Sequence, residues 1–193
     1  MQFTKGIILA AGKGTHLSPA TSVVSKPLLP VYDKPMLYYA LATLMNAGVR
    51  EVLFISRQED QKIFKQLFKN GKNLGMKFKY AVQKKAVGIP DAIRIGEKFV
   101  HKKPYILALA DNIFVGNGLD KLLKKTASSG VKATVLAVKV ANPQKSGVIQ
   151  FDKNMNILSL EEKPKKPKSN FVIPGLYFFN KYSMDYFKAI KKS

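Results

Sequence analysis

Residue types that bind phosphate groups stand close together near the start of the sequence. The stretch AAGKGTHLSPAT, residues 10–21, follows an apolar run and places Lys13 and His16 among glycines and small hydroxyl residues. Small residues let successive backbone N–H groups approach an anion, and a basic side chain offsets its charge. The spacing matches neither GxxxxGK[ST] nor GxGxxG, so a tight surface turn is the alternative to a phosphate-binding loop.

Three further residues have the chemistry for a nucleotide or metal site. Asp111 directly follows the apolar run YILALA, where an aspartate that caps a turn is about as common as one that binds a metal. Lys26 lies in SKPLLP and Lys163 lies in EEKP. For either lysine taken alone, a solvated surface position is the default interpretation.

The overall charge narrows the range of partners. The chain of 193 residues has a net charge of +21, and only Arg50, Arg57 and Arg94 among its 33 basic residues are arginines. Nucleic-acid-binding proteins rely more on arginine, whose planar fork pairs with phosphates and base edges. Since the lysines are also scattered, the sequence favours a lysine-rich solvated surface, with non-specific attraction for polyanions and no specific nucleic-acid partner.

Composition also excludes some classes of protein. There is no cysteine, which rules out disulfides and thiolate metal sites. No run of 18 apolar residues and no signal-peptide pattern is present, so we expect a soluble, cytoplasmic protein without a membrane partner.

Strand-like and helix-like segments alternate through the first 140 residues. This order predicts an α/β fold, Rossmann-like, with a mostly parallel sheet covered by helices on both faces. The predicted strands are Phe3–Ala10, Glu51–Ser56, Lys77–Val82, Tyr105–Ala110 and Val131–Val140, and the predicted helices are Pro35–Ala47, Gln58–Phe68, Ile89–Phe99 and Leu119–Ala127. Periodicity places Ile63, Phe64, Leu67 and Phe68 on one inward face, and Leu119, Leu122 and Leu123 on another.

Ligands of such sheets lie beyond the carboxyl ends of the strands. The glycine-rich loop and the segments Gln83–Gly88 and Ala110–Gly116 all follow strand ends, so we expect them to converge. After Val140 the pattern changes to short strands, at Ser146–Phe151, Ile157–Glu161 and Leu176–Phe179, with the basic loop Lys163–Ser169 between them and a final helix from Tyr182 to Ile190.

Long motifs in this order resemble the sugar-1-phosphate nucleotidyltransferases, in particular the short glucose-1-phosphate thymidylyltransferases. They are KGIILAAGKGTHLSPAT, SKPLLPVYDKPMLYYALATLMNAGV, YAVQ, LADNIFVGNG and SLEEKPKKPKSNFVIPGLYFFN, which together span essentially the whole chain. The resemblance implies the nucleotide-diphospho-sugar transferase fold with a small β-rich sugar-phosphate-binding insertion. It also implies one nucleotidyltransferase domain, divided into a nucleotide-binding core (1–140), a β-rich sugar-binding part (141–180) and the start of a C-terminal helical region (181–193).

The resemblance implies a reaction as well. An oxygen of a sugar-1-phosphate, expected to be glucose-1-phosphate, attacks the α-phosphorus of dTTP or UTP, and pyrophosphate leaves. The product would be dTDP-glucose, a precursor for dTDP-rhamnose or other cell-surface polysaccharides. Such chemistry needs alignment of two anions and charge neutralisation by Mg²⁺ and lysines more than covalent catalysis.

Individual roles follow only where this sequence matches the family's motifs. Asp111 would bind Mg²⁺, and Lys26 and His16 would stand where catalytic cations approach the triphosphate. The nucleotide would contact Leu9, Gly12, Gly14 and Thr15, with Gln83 and Gly88 at the pyrimidine edge. The sugar phosphate would contact Asn112, Gly147, Glu162, Lys163 and Val172, although plain core packing explains Val172 nearly as well.

The sequence departs from the family pattern in its site motifs. The family's GTRL is GTHL here, so His16 replaces a permanently charged arginine with a side chain that is largely neutral at pH 7. Pro27 stands where thymidylyltransferases carry a glutamine that holds the base, which leaves the choice between thymine and uracil open. The family's PDGLAQAF reads AVGIPDAIRIG here, with Pro90 and Asp91 after the glycine, so the sugar is open too.

The sequence also ends before a family segment that carries a second metal-binding aspartate and oligomer contacts. We therefore expect a C-terminally truncated relative, in which the final helix leaves Tyr186, Phe187 and Ile190 with little to pack on. A homo-oligomer would lack its usual C-terminal contacts. The alternatives are a nucleotidyltransferase, a catalytically impaired nucleotide-binding pseudoenzyme, and a uridylyltransferase.

Overall fold

The computed structural model of the protein describes residues 3–85, 87–127 and 132–189. Within these ranges, no helix combines the length and the apolar character that crossing a membrane requires. The chain divides into two compact units, one formed by residues 1–134 and 178–193 and the other by residues 135–177.

The elements follow the predicted alternation of strands and helices. The strands are β1 (Lys5–Ala10), β2 (Pro30–Val31), β3 (Lys34–Pro35), β4 (Glu51–Ser56), β5 (Lys77–Val82), β6 (Tyr105–Leu109), β7 (Ala133–Val135), β8 (Val138–Lys139), β9 (Gly147–Phe151), β10 (Ile157–Glu162), β11 (Phe171–Val172) and β12 (Leu176–Phe179). The α-helices are α1 (Leu37–Asn46), α2 (Gln61–Phe68), α3 (Ile89–Ile95), α4 (Glu97–Val100), α5 (Leu119–Ala127) and α6 (Ser183–Ala189).

A six-stranded sheet in the order β5-β4-β1-β6-β12-β7 forms the centre of the first unit. The pairs β1–β4, β1–β6 and β4–β5 are all parallel. These strands are rich in buried β-branched, leucine and aromatic residues, as strands covered on both faces must be. The predicted α/β fold with a mostly parallel sheet is confirmed.

Helices cover both faces of β1. A Cβ on Gly6 would lie 2.7 Å from Leu44 Cδ1, so α1 packs directly over this position. The next residue, Ile7, points to the opposite face, where its Cδ1 would lie 2.5 Å from a Cβ on Gly96, between α3 and α4. The two glycines thus let helices approach the central strand closely from either side.

Several predicted elements differ from the structure in detail. The strand predicted at Val131–Val140 is two short strands, β7 and β8, and Val131 lies outside the described residues. The helix predicted at Ile89–Phe99 is divided at Gly96 into α3 and α4. Glycine at that place removes the side chain that would otherwise collide with Ile7, and it also weakens helix continuation.

Two aliphatic residues that the sequence pattern predicts to face inward are exposed. Ile63 is 44% exposed and Leu122 is 47% exposed, whereas Phe64, Phe68 and Leu123 are buried. Each exposed residue precedes a buried one by a single position, which is a rotation of about 100° around a helix. On these short helices the buried stripe is therefore narrower than the apolar pattern indicates.

The final helix, α6, packs more closely than the sequence predicts. The Phe187 ring lies edge-on to Phe179 with centroids 5.2 Å apart, and Arg94 on α3 donates from Nε to the Phe187 carbonyl oxygen at 3.2 Å. The expectation that Phe187 has little to pack on is therefore wrong. Tyr186 is exposed, its hydroxyl accepts a hydrogen bond from Lys132 Nζ at 2.9 Å, and Ile190 lies outside the described residues.

The second unit holds a four-stranded sheet in the order β10-β9-β11-β8. Strands β9 and β10 form an antiparallel pair, and β11 pairs antiparallel with both β8 and β9. Val148, Ile149 and Val172 are buried in this sheet. The predicted change to short strands after Val140 is confirmed.

Candidate nucleotide-binding site

The glycine-rich loop begins where β1 ends and turns sharply at Gly14. Gly14 has a left-handed backbone, with φ +64° and ψ 29°, and a Cβ there would lie 3.0 Å from Lys26 Cβ. The Gly14 carbonyl oxygen accepts hydrogen bonds from Thr21 Oγ1 at 2.8 Å and from Leu17 N at 2.9 Å. These contacts fold the loop back on itself and bring it against the segment that carries Lys26.

Most of the glycine-rich loop is exposed. Gly12, Lys13, Thr15 and His16 are exposed, and Thr15–Leu17 form a single 3₁₀ turn. A Cβ on Gly12 would meet no atom within 4 Å, so open space borders the backbone there. By contrast, Leu9 lies inside β1, and its carbonyl oxygen accepts the Ala110 N–H at 3.0 Å.

Lys26 and Asp111, 85 residues apart in sequence, meet beyond the strand ends. Lys26 Nζ donates to Asp111 Oδ2 at 2.8 Å, and Asn112 Nδ2 donates to Asp111 Oδ1 at 3.3 Å. Lys26 stands at the start of a 3₁₀ turn, Lys26–Leu28, in which Pro27 is buried. Asp111 follows β6, which pairs in parallel with β1, and this pairing places the two loops side by side.

The carboxylate of Asp111 is an accessible oxygen ligand of the kind that Mg²⁺ prefers. The Asp111 side chain is 36% exposed and that of Lys26 is 25% exposed, so the pair is open to incoming ligands. No group of three or more His, Cys, Asp and Glu side chains suited to a metal occurs among the described residues. Because Mg²⁺ is commonly held by one or two carboxylates plus substrate phosphates, a single carboxylate is compatible with that mode of binding.

Gln83 directly follows β5 and lies at the same carboxyl-end edge of the sheet as the loops after β1 and β6. Its backbone N–H donates to Ser56 O at 2.9 Å, which continues the parallel pairing of β5 with β4. Gln83 is a buried residue, only 4% exposed, and its side-chain Nε2 donates to Gly88 O at 3.2 Å and to Asp91 Oδ2 at 3.0 Å. Gln83 lies two strands from β1, roughly 10 Å at the usual strand spacing. The three segments predicted to converge, the glycine-rich loop, Gln83–Gly88 and Ala110–Gly116, thus all follow strands of this sheet edge, with the first and third on neighbouring strands and Gln83 farther along.

The candidate sugar-phosphate residues Gly147, Glu162, Lys163 and Val172 lie together in the second unit. Glu162 is the cross-strand partner of Gly147, and a Cβ on Gly147 would lie 3.3 Å from Glu162 Oε2. The Lys163 N–H donates to Ser146 O at 3.1 Å, and its Nζ lies 3.7 Å from Glu162 Oε1. Val172, beside Val148, is a buried sheet residue. Asn112, the fifth such candidate, lies beside Asp111 in the first unit.

Sequence reasoning missed two neighbours of these candidates. Asp91 was noted as a departure from the family pattern, but its hydrogen bond to Gln83 was not foreseen. Tyr177 is the other: its pKa lies above the usual value, chiefly because the ring is buried and secondly because Glu162 is near. Strand periodicity gives no sign of either neighbour, because Asp91 reaches Gln83 through the turn between β5 and α3 and Glu162 comes near Tyr177 only through folding of the second unit.

Comparison with known proteins places the chain in a family. The family model described as nucleotidyl transferase matches residues 5–193. The chain belongs to the nucleotidyl transferase family. A glucose-1-phosphate thymidylyltransferase of Neisseria meningitidis serogroup A is 46% identical over 189 residues, which cover 98% of this chain and 66% of the relative. The enzyme of the same name from Mycobacterium tuberculosis is 45% identical, with 98% and 65% covered.

Solved structures share the fold of this family member. A Bacillus anthracis structure assigned as a glucose-1-phosphate thymidylyltransferase, in complex with sucrose, has a TM-score of 0.90 and 34% identity over 98% of this chain and 76% of that chain. A UDP-glucose pyrophosphorylase complexed with UDP-glucose has a TM-score of 0.81 and 25% identity, with 98% and 81% covered. The chain spans 62–66% of the length of the thymidylyltransferase relatives that it matches.

Proposed function

We propose that this chain transfers dTMP from dTTP to glucose-1-phosphate, forming dTDP-glucose and releasing pyrophosphate. The observation that carries the proposal is the Lys26–Asp111 pair, a cation and a metal-compatible carboxylate held 2.8 Å apart beside the glycine-rich loop. The thymidylyltransferase names of relatives at 44–46% identity support the choice of reaction.

In the proposed reaction, a phosphate oxygen of the sugar phosphate forms a bond to the α-phosphorus of the nucleotide. The bond from that phosphorus to the α,β-bridging oxygen breaks, and pyrophosphate leaves with the electron pair. When bound, Mg²⁺ would supply charge neutralisation for the phosphate oxygens, with Asp111 as its ligand from this chain. The reaction requires no proton shuttle on the protein, because both reacting groups are phosphates.

The chain's own residues would align and neutralise the two anions. Backbone N–H groups at Gly12–Thr15 would hold the triphosphate, because exposed small residues leave them accessible. On nucleotide binding, Lys26 would move its ammonium from Asp111 to the phosphates, while Asp111 takes the cation in its place. The ion pair therefore keeps both groups near their working positions before substrate arrives.

In the second unit, Lys163 and Glu162 would recognise the sugar phosphate. Both side chains are exposed, and Lys163 Nζ lies 3.7 Å from Glu162 Oε1. A cation for the phosphate and an acceptor for sugar hydroxyls are therefore adjacent. The absence of a side chain on Gly147 keeps the surface next to Glu162 open. We further propose that the reaction takes place in the cytoplasm and supplies cell-surface polysaccharide synthesis.

Pyrophosphate release with the purified chain tests the proposal. Mg²⁺, glucose-1-phosphate and dTTP should yield pyrophosphate, and parallel reactions with UTP decide the base. Lys26→Met should reduce turnover at least about 100-fold, as expected for loss of a transition-state cation. The matched control, Lys72→Met at an exposed lysine in the 3₁₀ turn that precedes β5, should retain the native rate.

Two results would contradict the proposal. Nucleotide binding without pyrophosphate release would make the chain a non-catalytic nucleotide-binding protein, an outcome consistent with His16 in place of arginine. Equal rates for Lys26→Met and Lys72→Met would remove Lys26 from the reaction.

A further inference from the structure

The side-chain amide of Gln83 is held in one orientation by two hydrogen-bond acceptors. Its Nε2 donates to the Gly88 carbonyl oxygen at 3.2 Å and to Asp91 Oδ2 at 3.0 Å. A primary amide nitrogen has two N–H groups, so these bonds use both. Gln83 as a whole residue is only 4% exposed, so an orientation that left Nε2 without acceptors would be costly.

The opposite orientation of the amide is excluded by electrostatics. Turning the group over would place Oε1 where Nε2 now stands, against a carboxylate oxygen and a carbonyl oxygen, and three acceptors would then face one another. The Asp91 carboxylate opposes this most strongly, because bonds to an ionised partner are roughly twice as strong as neutral ones. Oε1 is therefore the part of Gln83 left for another molecule, and no described residue donates to it.

The local backbone explains why Asp91 can reach Gln83. Gly88 has φ +89° and ψ 179°, a conformation open mainly to glycine, and α3 starts at the next residue. This turn brings the Gly88 carbonyl oxygen to Gln83 and places Asp91 in the first turn of α3. Both acceptors therefore come from the single segment that connects β5 to α3.

We propose that Asp91 is a positioning residue that commits Gln83 to accept a hydrogen bond from the base, and so selects thymine or uracil over cytosine. This inference rests on the proposed function and on the motif resemblance, which implies that Gln83 lies at the pyrimidine edge. Thymine and uracil carry an N3–H that donates to an acceptor. Cytosine presents an unprotonated N3, which would face Oε1 as a second acceptor.

Nucleotide binding by the whole chain, measured by isothermal titration calorimetry with Mg²⁺, tests the inference without requiring turnover. Native protein should bind dTTP about 10- to 100-fold more tightly than dCTP, the range expected when a buried acceptor is left unpaired. Asp91→Ala frees the amide to turn over, and the ratio of the two dissociation constants should fall about tenfold. Asp91→Asn keeps one acceptor but also brings a donor, so its ratio should be intermediate.

Asp120→Ala is the matched control, because Asp120 is likewise in the first turn of a helix, α5, and is exposed. Its ratio should equal that of the native protein. Circular dichroism establishes folding of each variant, and if Asp91→Ala does not fold, Asp91→Asn provides the measurement.

If Asp91 had a merely structural role, its replacement would weaken the binding of dTTP and dCTP equally. An unchanged ratio in a folded Asp91 variant therefore overturns the inference, as does native protein that binds dCTP as tightly as dTTP. Neither result bears on pyrophosphate release, which decides the proposed function separately. If the protein binds neither dTTP nor dCTP, the inference about Asp91 and the proposed function are both overturned.

Discussion

Replacing Gly14 by alanine should destabilise the protein, whereas the same replacement at Gly12 should not. Gly14 has φ +64°, a conformation that costs a residue with a Cβ about 1 kcal/mol. The new methyl would also lie 3.0 Å from Lys26 Cβ and 3.2 Å from Thr21 Cγ2. Both atoms are close to the backbone, so relieving the contacts shifts the loop at a further cost of about 1 kcal/mol.

Chemical denaturation measures the sum of these costs. The free energy of unfolding of Gly14→Ala should fall by about 2 kcal/mol, with a decrease in Tm of about 4–8 °C for a chain of this size. Gly12→Ala should stay within about 0.5 kcal/mol of the native protein, because its methyl meets no atom within 4 Å.

Nucleotide affinity should also distinguish the two positions, because Gly12→Ala, the variant that keeps its stability, is the one expected to lose dTTP affinity. The Gly12 methyl would occupy the open space through which we propose that phosphates approach the backbone, so dTTP affinity should fall about tenfold while stability is retained. Gly14→Ala with native stability, or Gly12→Ala with the larger loss of stability, would refute the reasoning from loop geometry.

Three further predictions concern other parts of the chain. Burial raises the pKa of Tyr105 to about 12 against 10 in the unfolded chain. The contribution of Tyr105 to the free energy of unfolding is therefore intact below pH 10 and is lost as pH rises toward 12. At pH 11, urea denaturation should show that the native protein has lost about 1.4 kcal/mol more of this free energy than Tyr105→Phe. Equal losses would contradict the burial of this hydroxyl. Lys163→Ala should raise the KM for glucose-1-phosphate at least about tenfold with little change for dTTP, whereas Lys168→Ala, which loses only an exposed ion pair with Glu161, should change neither; equal effects on both substrates would contradict the assignment. His16→Arg should raise turnover about tenfold by restoring a permanent charge, and an unchanged rate would exclude His16 as a limiting feature.

The sequence predicted most of the regular elements because their patterns are local. Strands β4, β5 and β12 and helix α5 have the predicted bounds, since each is an apolar or amphipathic run between turn residues. The errors fall where a neighbouring element decides the outcome. Ile63 and Leu122 are exposed because the buried face of a short helix depends on what packs against it.

Motif resemblance led to the family, and the site residues it implied are now placed in the structure, although their roles stay predictions. Several long motifs in a fixed order make the resemblance specific, so it did not depend on any single residue. The resemblance could not predict the contact of Asp91 with Gln83, because the segment that carries Asp91 departs from the family motif.

The sequence by itself determined the alternating α/β plan, the glycine-rich loop and the lysine-rich charge, since each is a property of neighbouring residues. Only the tertiary structure decided that Lys26 pairs with Asp111 and that Asp91 holds Gln83. The strand order β5-β4-β1-β6 places β1 beside β6, and no local pattern encodes that order. It arises when distant strands bury their apolar faces under shared helices, and the polar groups at their ends come together as a consequence.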